Sequence, residues 1–149
     1  MAQELGLEFD QIDVDFRQRH TRRPERLAIN RAGHVPAIRD GNFSMGESCA
    51  INLYLARKHN KLMPTTIQGE AQAIEWSFWV MQEVERPIQA YLYHAAVLPE
   101  DQRDQAIADR ALEKLDWPFT VINKHLSDCT YLVEDRFSVA DLNVAGVMS

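Results

Sequence analysis

The stretch from Gly33 to Ile51 limits what this chain can fold into more than any other part of it. It reads Gly-His-Val-Pro-Ala-Ile-Arg-Asp-Gly-Asn-Phe-Ser-Met-Gly-Glu-Ser-Cys-Ala-Ile. A strand opens on Val35-Pro36, the chain turns at Asp40-Gly41, and it returns to an acid–hydroxyl pair, Glu47-Ser48. Asp-Gly is a strong hairpin dipeptide, so Val35–Arg39 and Asn42–Ser44 are the expected arms. Ser48 is a natural N-cap and opens a helix expected over Ser48–Lys58. Ile51, Tyr54 and Leu55 recur there at three and four residues, and Asn60 is its stop.

Around this stretch the pattern changes once. Leu7, Phe9, Ile12 and Val14 are apolar among acids, which predicts a strand over Leu7–Asp15 with a phase change near Gln11. Arg17–Arg23 reads as a polar loop, and Pro24–Ile29 as one helical turn with proline first. Asn60-Lys61-Leu62-Met63-Pro64-Thr65-Thr66 breaks the periodicity and reads as a linker. Beyond it the chain is helical. Ile74, Phe78, Met81, Val84, Ile88 and Tyr91 predict one apolar face, kinked at Pro87. A second helix is expected over Glu100–Leu126, with Leu112, Leu115, Phe119, Ile122 and Leu126 on its face and Pro118 interrupting it. A loop over Ser127–Arg136 leads to a third helix. That helix opens on Ser138-Val139-Ala140-Asp141, a capping box. An α/β part followed by an all-α part implies two units of different type.

The 149 residues are 46% hydrophobic, enough for a core in one domain or one domain and part of another. A net charge of −6 disfavours a nucleic-acid partner. The basic run from Arg17 to Arg31 reads as a solvated loop face, or else as a patch facing an anionic ligand. Cys49 and Cys129 have neither disulfide-framework nor metal-ligand spacing, so no metal is expected and a reducing, cytoplasmic setting fits. No run of apolar residues is long enough to span a membrane. The five histidines show no ligand pairing.

The order Val-Pro, strand, Asp-Gly, strand, acid-Ser resembles the glutathione-binding half of the thioredoxin-like domain in soluble glutathione transferases. Phe137-Ser138-Val139-Ala140-Asp141-Leu142-Asn143 is similar to the helical-domain signature of the same family. The resemblance runs from about Leu5 to Met148. It implies an α/β thioredoxin-like N-terminal domain lacking its first strand and helix, followed by an all-α helical domain that is also partial. Residues 1–59 would be the glutathione-binding domain, 60–67 the linker and 68–149 the helical domain. Glu4–Phe9 resembles the end of the family's first helix running into its second strand. With the first strand missing, the sheet is expected to show a gap, a rearranged pairing or a strand borrowed from another molecule.

The resemblance also implies roles. The Val35-Pro36 bond would be cis, with the Val35 N–H and C=O pairing with the cysteinyl part of glutathione like an added strand. On residues alone, Pro36 reads first as an edge or turn device. Ser48 and the free N–H groups of its helix would hold the γ-glutamyl carboxylate, and Glu47 the ammonium. His34 would touch the glycyl end, or is a solvated loop residue. Cys49 reads as buried and inert. The aromatics Trp76, Phe78, Trp79, Tyr91, Tyr93 and Trp117 read mostly as core, one or two lining an apolar groove. The family activates the glutathione thiol with a Tyr, Ser or Cys before this stretch, and that residue is expected to be absent here. The implied function is conjugation of glutathione, as co-substrate, to a small apolar electrophile by a full-length parent that is a homodimer. The alternative is a non-catalytic transferase-like binding or dimerisation module. A thiol-disulfide oxidoreductase would need an N-terminal active Cys.

Overall fold

In the computed structural model, which describes residues 1–15 and 20–149, the chain divides into two units, Met1–Met63 and Pro64–Ser149. The first unit begins with α1 (Ala2–Leu5), which buries Leu5 and ends at Gly6 with φ +68. A left-handed residue after a helix is the usual use of glycine. A 3₁₀ turn, His20–Arg22, leads to α2 (Pro24–Leu27), with Pro24 in its first turn as expected.

The sheet is a hairpin. β1 (Ala37–Asp40) pairs antiparallel with β2 (Phe43–Gly46) in the register Ala37↔Gly46 to Asp40↔Phe43. The two loop residues are therefore Gly41 and Asn42, one position later than the Asp40-Gly41 expected. Gly41 takes φ +59, the positive value required at the first position of a tight hairpin loop. Val35 and Pro36 lie before the ladder, and β2 runs on to Gly46.

Leu7–Asp15 forms no strand. A strand exists only within a ladder, and among the described residues the sheet holds β1 and β2 alone. The slip at Gln11 also breaks the alternation that would bury one face. Phe9 is 55% exposed and Ile12 is exposed too.

α3 (Ser48–His59) follows and stops at Asn60 in the left-handed conformation. Ser48 is its first helical residue and not the cap expected of it. The cap position belongs to Glu47, at φ +70, and Glu47 makes no side-chain capping bond. Asp40 ties the hairpin to α3. It accepts from the Tyr54 hydroxyl at 2.8 Å and from the Lys58 ammonium. Lys58 first, then Tyr54, hold the Asp40 carboxyl below its ordinary value. The Phe43 and Tyr54 rings meet at 5.0 Å.

The second unit is helical. α4 (Ile67–Trp79), a π-helical turn Val80–Glu85, α5 (Arg86–Leu92) and a second π turn Tyr93–Val97 follow without a break. The irregularity expected at Pro87 takes the form of the π turn that precedes it. The wider turn accommodates a residue that lacks an N–H and crowds the carbonyl four residues back. The buried positions are Gly69, Ala73, Ser77, Val80 and Val84. Of the expected face Val84 is buried, but Ile74 is exposed and Phe78 is 64% exposed. Small side chains let α4 approach α7 (Val139–Met148) closely, and that turns the larger residues outward.

α6 (Gln105–Asp128) starts later than expected, at an Asp104 cap that accepts from Ala106 and Ile107 N–H groups. It runs through Pro118 uninterrupted. The lost hydrogen bond and ring clash cost about 3 kcal/mol. Burial of Pro118 on the side that carries Ala111, Leu115 and Ile122, and the packing of α5 on α6, offset this cost. Leu112, Phe119 and Leu126, expected on that face, are exposed. So are Phe78, Tyr93 and Trp117, the last at 72%. The core is aliphatic and small, not aromatic. α7 opens at Ser138 with the expected capping box, and Asp141 accepts from the Ser138 N–H at 2.8 Å.

Candidate functional site

The site begins with an organised loop. Asn30 Nδ2 donates to the His34 carbonyl at 3.0 Å, and Asn30 Oδ1 accepts from the Ala32 N–H at 3.1 Å. The Gly33 N–H donates to the Asn30 carbonyl at 2.8 Å. Arg22 Nη1 donates to the Ala32 carbonyl at 2.9 Å. Asn30 also lies against β2, where a Cβ on Gly46 would sit 2.4 Å from its Nδ2. A side chain at 46 would push Asn30 out of the loop it holds. Sequence reasoning passed over Asn30. The signal was the lone glycine at the end of a strand.

This loop delivers His34, Val35 and Pro36 to the surface, all exposed. The Val35–Pro36 peptide is cis. His34, Val35, Pro36 and Ser48 border one cleft of about 1230 Å³, with Ile51 and Asn52 of α3 on its wall. Glu47 adjoins Ser48 but is not among the residues of that wall, and it is exposed. Among the described residues, neither the Glu47 carboxylate nor the Ser48 hydroxyl has a hydrogen-bond partner. Positive φ is uncommon outside glycine, and such conformations concentrate where a side chain must be aimed.

The Glu47 side chain makes no capping bond to α3, and a helix N-terminus favours an anion. A carboxylate, a hydroxyl and a helix N-terminus therefore stand side by side. Together they match a ligand carrying an ammonium and a carboxylate on one carbon. Cys49, at 8% exposure, is buried behind Ser48. Arg17 and Arg19 of the basic run lie outside the described residues. Arg23, Arg26 and Arg39 border a smaller pocket of about 230 Å³ with Asp13 and Glu25. No three His, Cys, Asp or Glu side chains among the described residues group as metal ligands.

Comparison with known proteins identifies the family of both units. The profile described as "Glutathione S-transferase, N-terminal domain" matches residues 1–57, and "Glutathione S-transferase, C-terminal domain" matches 78–149. Glutathione S-transferase 4 of Zea mays is 31% identical over 98% of this chain and 67% of its own length. The crystal structure of the glutathione transferase URE2P5 from Phanerochaete chrysosporium superposes with a TM-score of 0.90 at 28% identity, over 96% of this chain and 65% of that one. Glutathione S-transferase I from maize, in complex with an atrazine glutathione conjugate, gives 0.87 at 29% identity, over 99% and 71%. The chain thus spans about two thirds of the length of these relatives. Both halves match in the expected order, and the thioredoxin-like unit precedes the helical one. The chain belongs to the glutathione S-transferase family.

Proposed function

We propose that this chain binds glutathione through its first unit and belongs to an enzyme that transfers the glutathione thiolate to a small apolar electrophile. The observation that carries the reading is the pair Glu47-Ser48. Its carboxylate and hydroxyl are unengaged, at a helix N-terminus beside the exposed Val35–Pro36 backbone. Glu47 binds the ammonium of the γ-glutamyl group. Ser48 and the α3 N–H groups bind its carboxylate. Val35 pairs with the cysteinyl backbone through its own N–H and C=O, and Pro36 shapes that approach. His34 meets the glycyl end. A purely structural module has no use for an unpartnered acid held at positive φ, so recognition is preferred over the scaffold reading.

Residues 1–59 form the recognition unit and 68–149 the helical unit, joined by 60–67. Exposed Tyr93 and Trp117 provide apolar surface for the electrophile. Ile67, Ile74 and Phe78 share one exposed face of α4, which supports a homodimer. Neither cysteine is in a disulfide, which supports a reducing, cytoplasmic setting. The thiol of glutathione is mostly protonated at neutral pH and needs a positioned donor to hold the thiolate. Among the described residues no Tyr or Cys borders the cleft, and its one serine, Ser48, is given to the γ-glutamyl carboxylate. Thiol activation is assigned to none of them.

Calorimetric titration of glutathione into the folded chain tests this reading, with Ser48→Ala beside it. Loss of the hydroxyl weakens binding by roughly 1–2 kcal/mol. A folded wild-type chain that gives no heat with millimolar glutathione overturns the assignment.

A further inference from the structure

The two halves of the candidate site meet at a residue that has no side chain. Gly46 ends β2, pairs with Ala37 across the ladder and directly precedes Glu47. Its φ lies outside the left-handed region, so its backbone would accept an alanine. Space is what an alanine would lack. The three atoms nearest to a Cβ built there all belong to the Asn30 side chain: Nδ2 first, then Cγ at 2.9 Å and Oδ1 at 3.2 Å. Asn30 is therefore seated on the one residue of β2 that leaves room for it.

The same amide is committed to the loop before β1. Its Oδ1 accepts from the Ala32 N–H at 3.1 Å, and its Nδ2 donates to the His34 carbonyl at 3.0 Å. One acceptor and one donor are used, so only an amide fits both partners. The His34 carbonyl and the Val35 N–H belong to one planar peptide. That peptide is trans, so the two groups point in opposite directions. Holding the His34 oxygen therefore aims the Val35 N–H away from Asn30. Among the described residues that N–H meets no acceptor.

We propose that Asn30, seated on Gly46, is the positioning residue that holds the two halves of the site at one spacing. One half is the Val35 N–H, the other is the Glu47-Ser48 pair. This role rests on the glutathione reading above, and it adds how the tripeptide is told apart from its parts. Glutathione reaches both halves at once, so its second contact is intramolecular and gains from a fixed spacing. A ligand that carries only the γ-glutamyl group uses Glu47 and Ser48 and gains nothing from Asn30. A side chain at 46 swings the amide off the strand, breaks both loop bonds and leaves the His34–Val35 peptide free to turn. Asn30 acts through the backbone, so it sets affinity and discrimination without entering the chemistry.

The test titrates the full chain with glutathione and, separately, with γ-glutamyl methylamide. Binding is read by NMR from the amide shifts of Glu47 and Ser48, which report weak ligands too. Asn30→Asp is nearly isosteric: it keeps the acceptor for Ala32 and sets an oxygen against the His34 carbonyl. Gly46→Ala keeps Asn30 but displaces it. Each is expected to weaken glutathione by about fivefold or more and the methylamide by less than about twofold. The added charge of Asn30→Asp acts on both ligands, so the ratio of the two affinities is the readout. Asn30→Ala removes every atom that a Cβ at 46 would strike. In that background Gly46→Ala is expected to cost less than about twofold more. In the ligand-free chain, Gly46→Ala should speed exchange of the Ala32 N–H by about tenfold. Three results would overturn the proposal: an unchanged affinity ratio in Asn30→Asp and Gly46→Ala, independent effects of the two positions, or unaltered Ala32 exchange. A wild-type chain that binds neither ligand sinks the glutathione reading and this role with it. A wild-type chain that binds glutathione while the ratio stays fixed sinks this role alone.

Discussion

Replacing Asn143 by Ala should destabilise the helical unit by about 2–3 kcal/mol. Asn143 Nδ2 donates to Ser77 Oγ at 2.8 Å, and Ser77 Oγ donates to the Ala73 carbonyl at 2.7 Å. The two side chains are 2% and 3% exposed, so water cannot replace either partner. Leaving a buried polar group unpaired costs about 1–3 kcal/mol. The void left by the deleted amide adds about 1 kcal/mol if α4 and α7 do not close over it. Ser77→Ala should cost less, because alanine gains helix propensity as the hydroxyl is lost. In a double-mutant cycle the pair should couple by about 0.5–1.5 kcal/mol. The assay is urea unfolding followed by tryptophan fluorescence. All three tryptophans, Trp76, Trp79 and Trp117, lie in the helical unit, so the signal reports that unit alone. Additive single-mutant effects, or a cost below about 0.5 kcal/mol for Asn143→Ala, would refute the claim that this bond joins α4 to α7.

The same unfolding assay reads two further features. The Glu134 carboxylate accepts from the N–H and hydroxyl of both Thr65 and Thr66 at 3.0–3.1 Å. The Thr65 N–H chiefly, then Thr66 N–H and the two hydroxyls, lower its pKa from 4.5 to about 2, against the opposing effect of desolvation. A depressed carboxylate stabilises the fold fully above its unfolded value and loses that contribution as pH falls through the folded one. The stability gap between wild type and Glu134→Gln should therefore be constant above about pH 5 and close between 4.5 and about 2. A gap unchanged down to the folded value would refute the clamp. Glycine substitutions should differ in sign. A Cβ on Gly69 meets Glu134 Oε1 at 2.6 Å and Pro64 Cβ at 2.7 Å, so Gly69→Ala should destabilise by about 1–3 kcal/mol. A Cβ on Gly146 meets nothing within 4 Å inside α7, so Gly146→Ala should stabilise by about 0.5–1 kcal/mol, read as a shift in urea midpoint.

Local signals and tertiary decisions separate cleanly in this chain. The Gly41 turn, the Asn60 stop, the Pro24 start and the Ser138–Asp141 box depend on dihedral preferences and on hydrogen bonds within a few residues. Each was therefore readable from the residues alone, to within one position at the hairpin. The order of an α/β part before an all-α part was readable too, because the hydrophobic period changes at the Asn60–Thr66 break. So was the Val35-Pro36 and Glu47-Ser48 pattern that marks the candidate site.

What escaped that reading depends on partners distant in the chain. Leu7–Asp15 carries a strand pattern, but a strand needs a second backbone at ladder distance, and no residue pattern reveals whether one is there. The face of α4 that is buried is chosen by its fit to α7. Gly69, Ala73 and Ser77 allow the close approach, which leaves Ile74 and Phe78 outside despite their hydrophobicity. Pro118 continues inside α6 because packing offsets a local penalty. Glu134 meets Thr65 and Thr66 across 69 and 68 residues of sequence. Short-range chemistry writes turns, caps and helix starts into the residues themselves. Which side of a helix is core, which strand finds a ladder and which carboxylate finds its donors are settled by burial and approach between segments far apart in the chain.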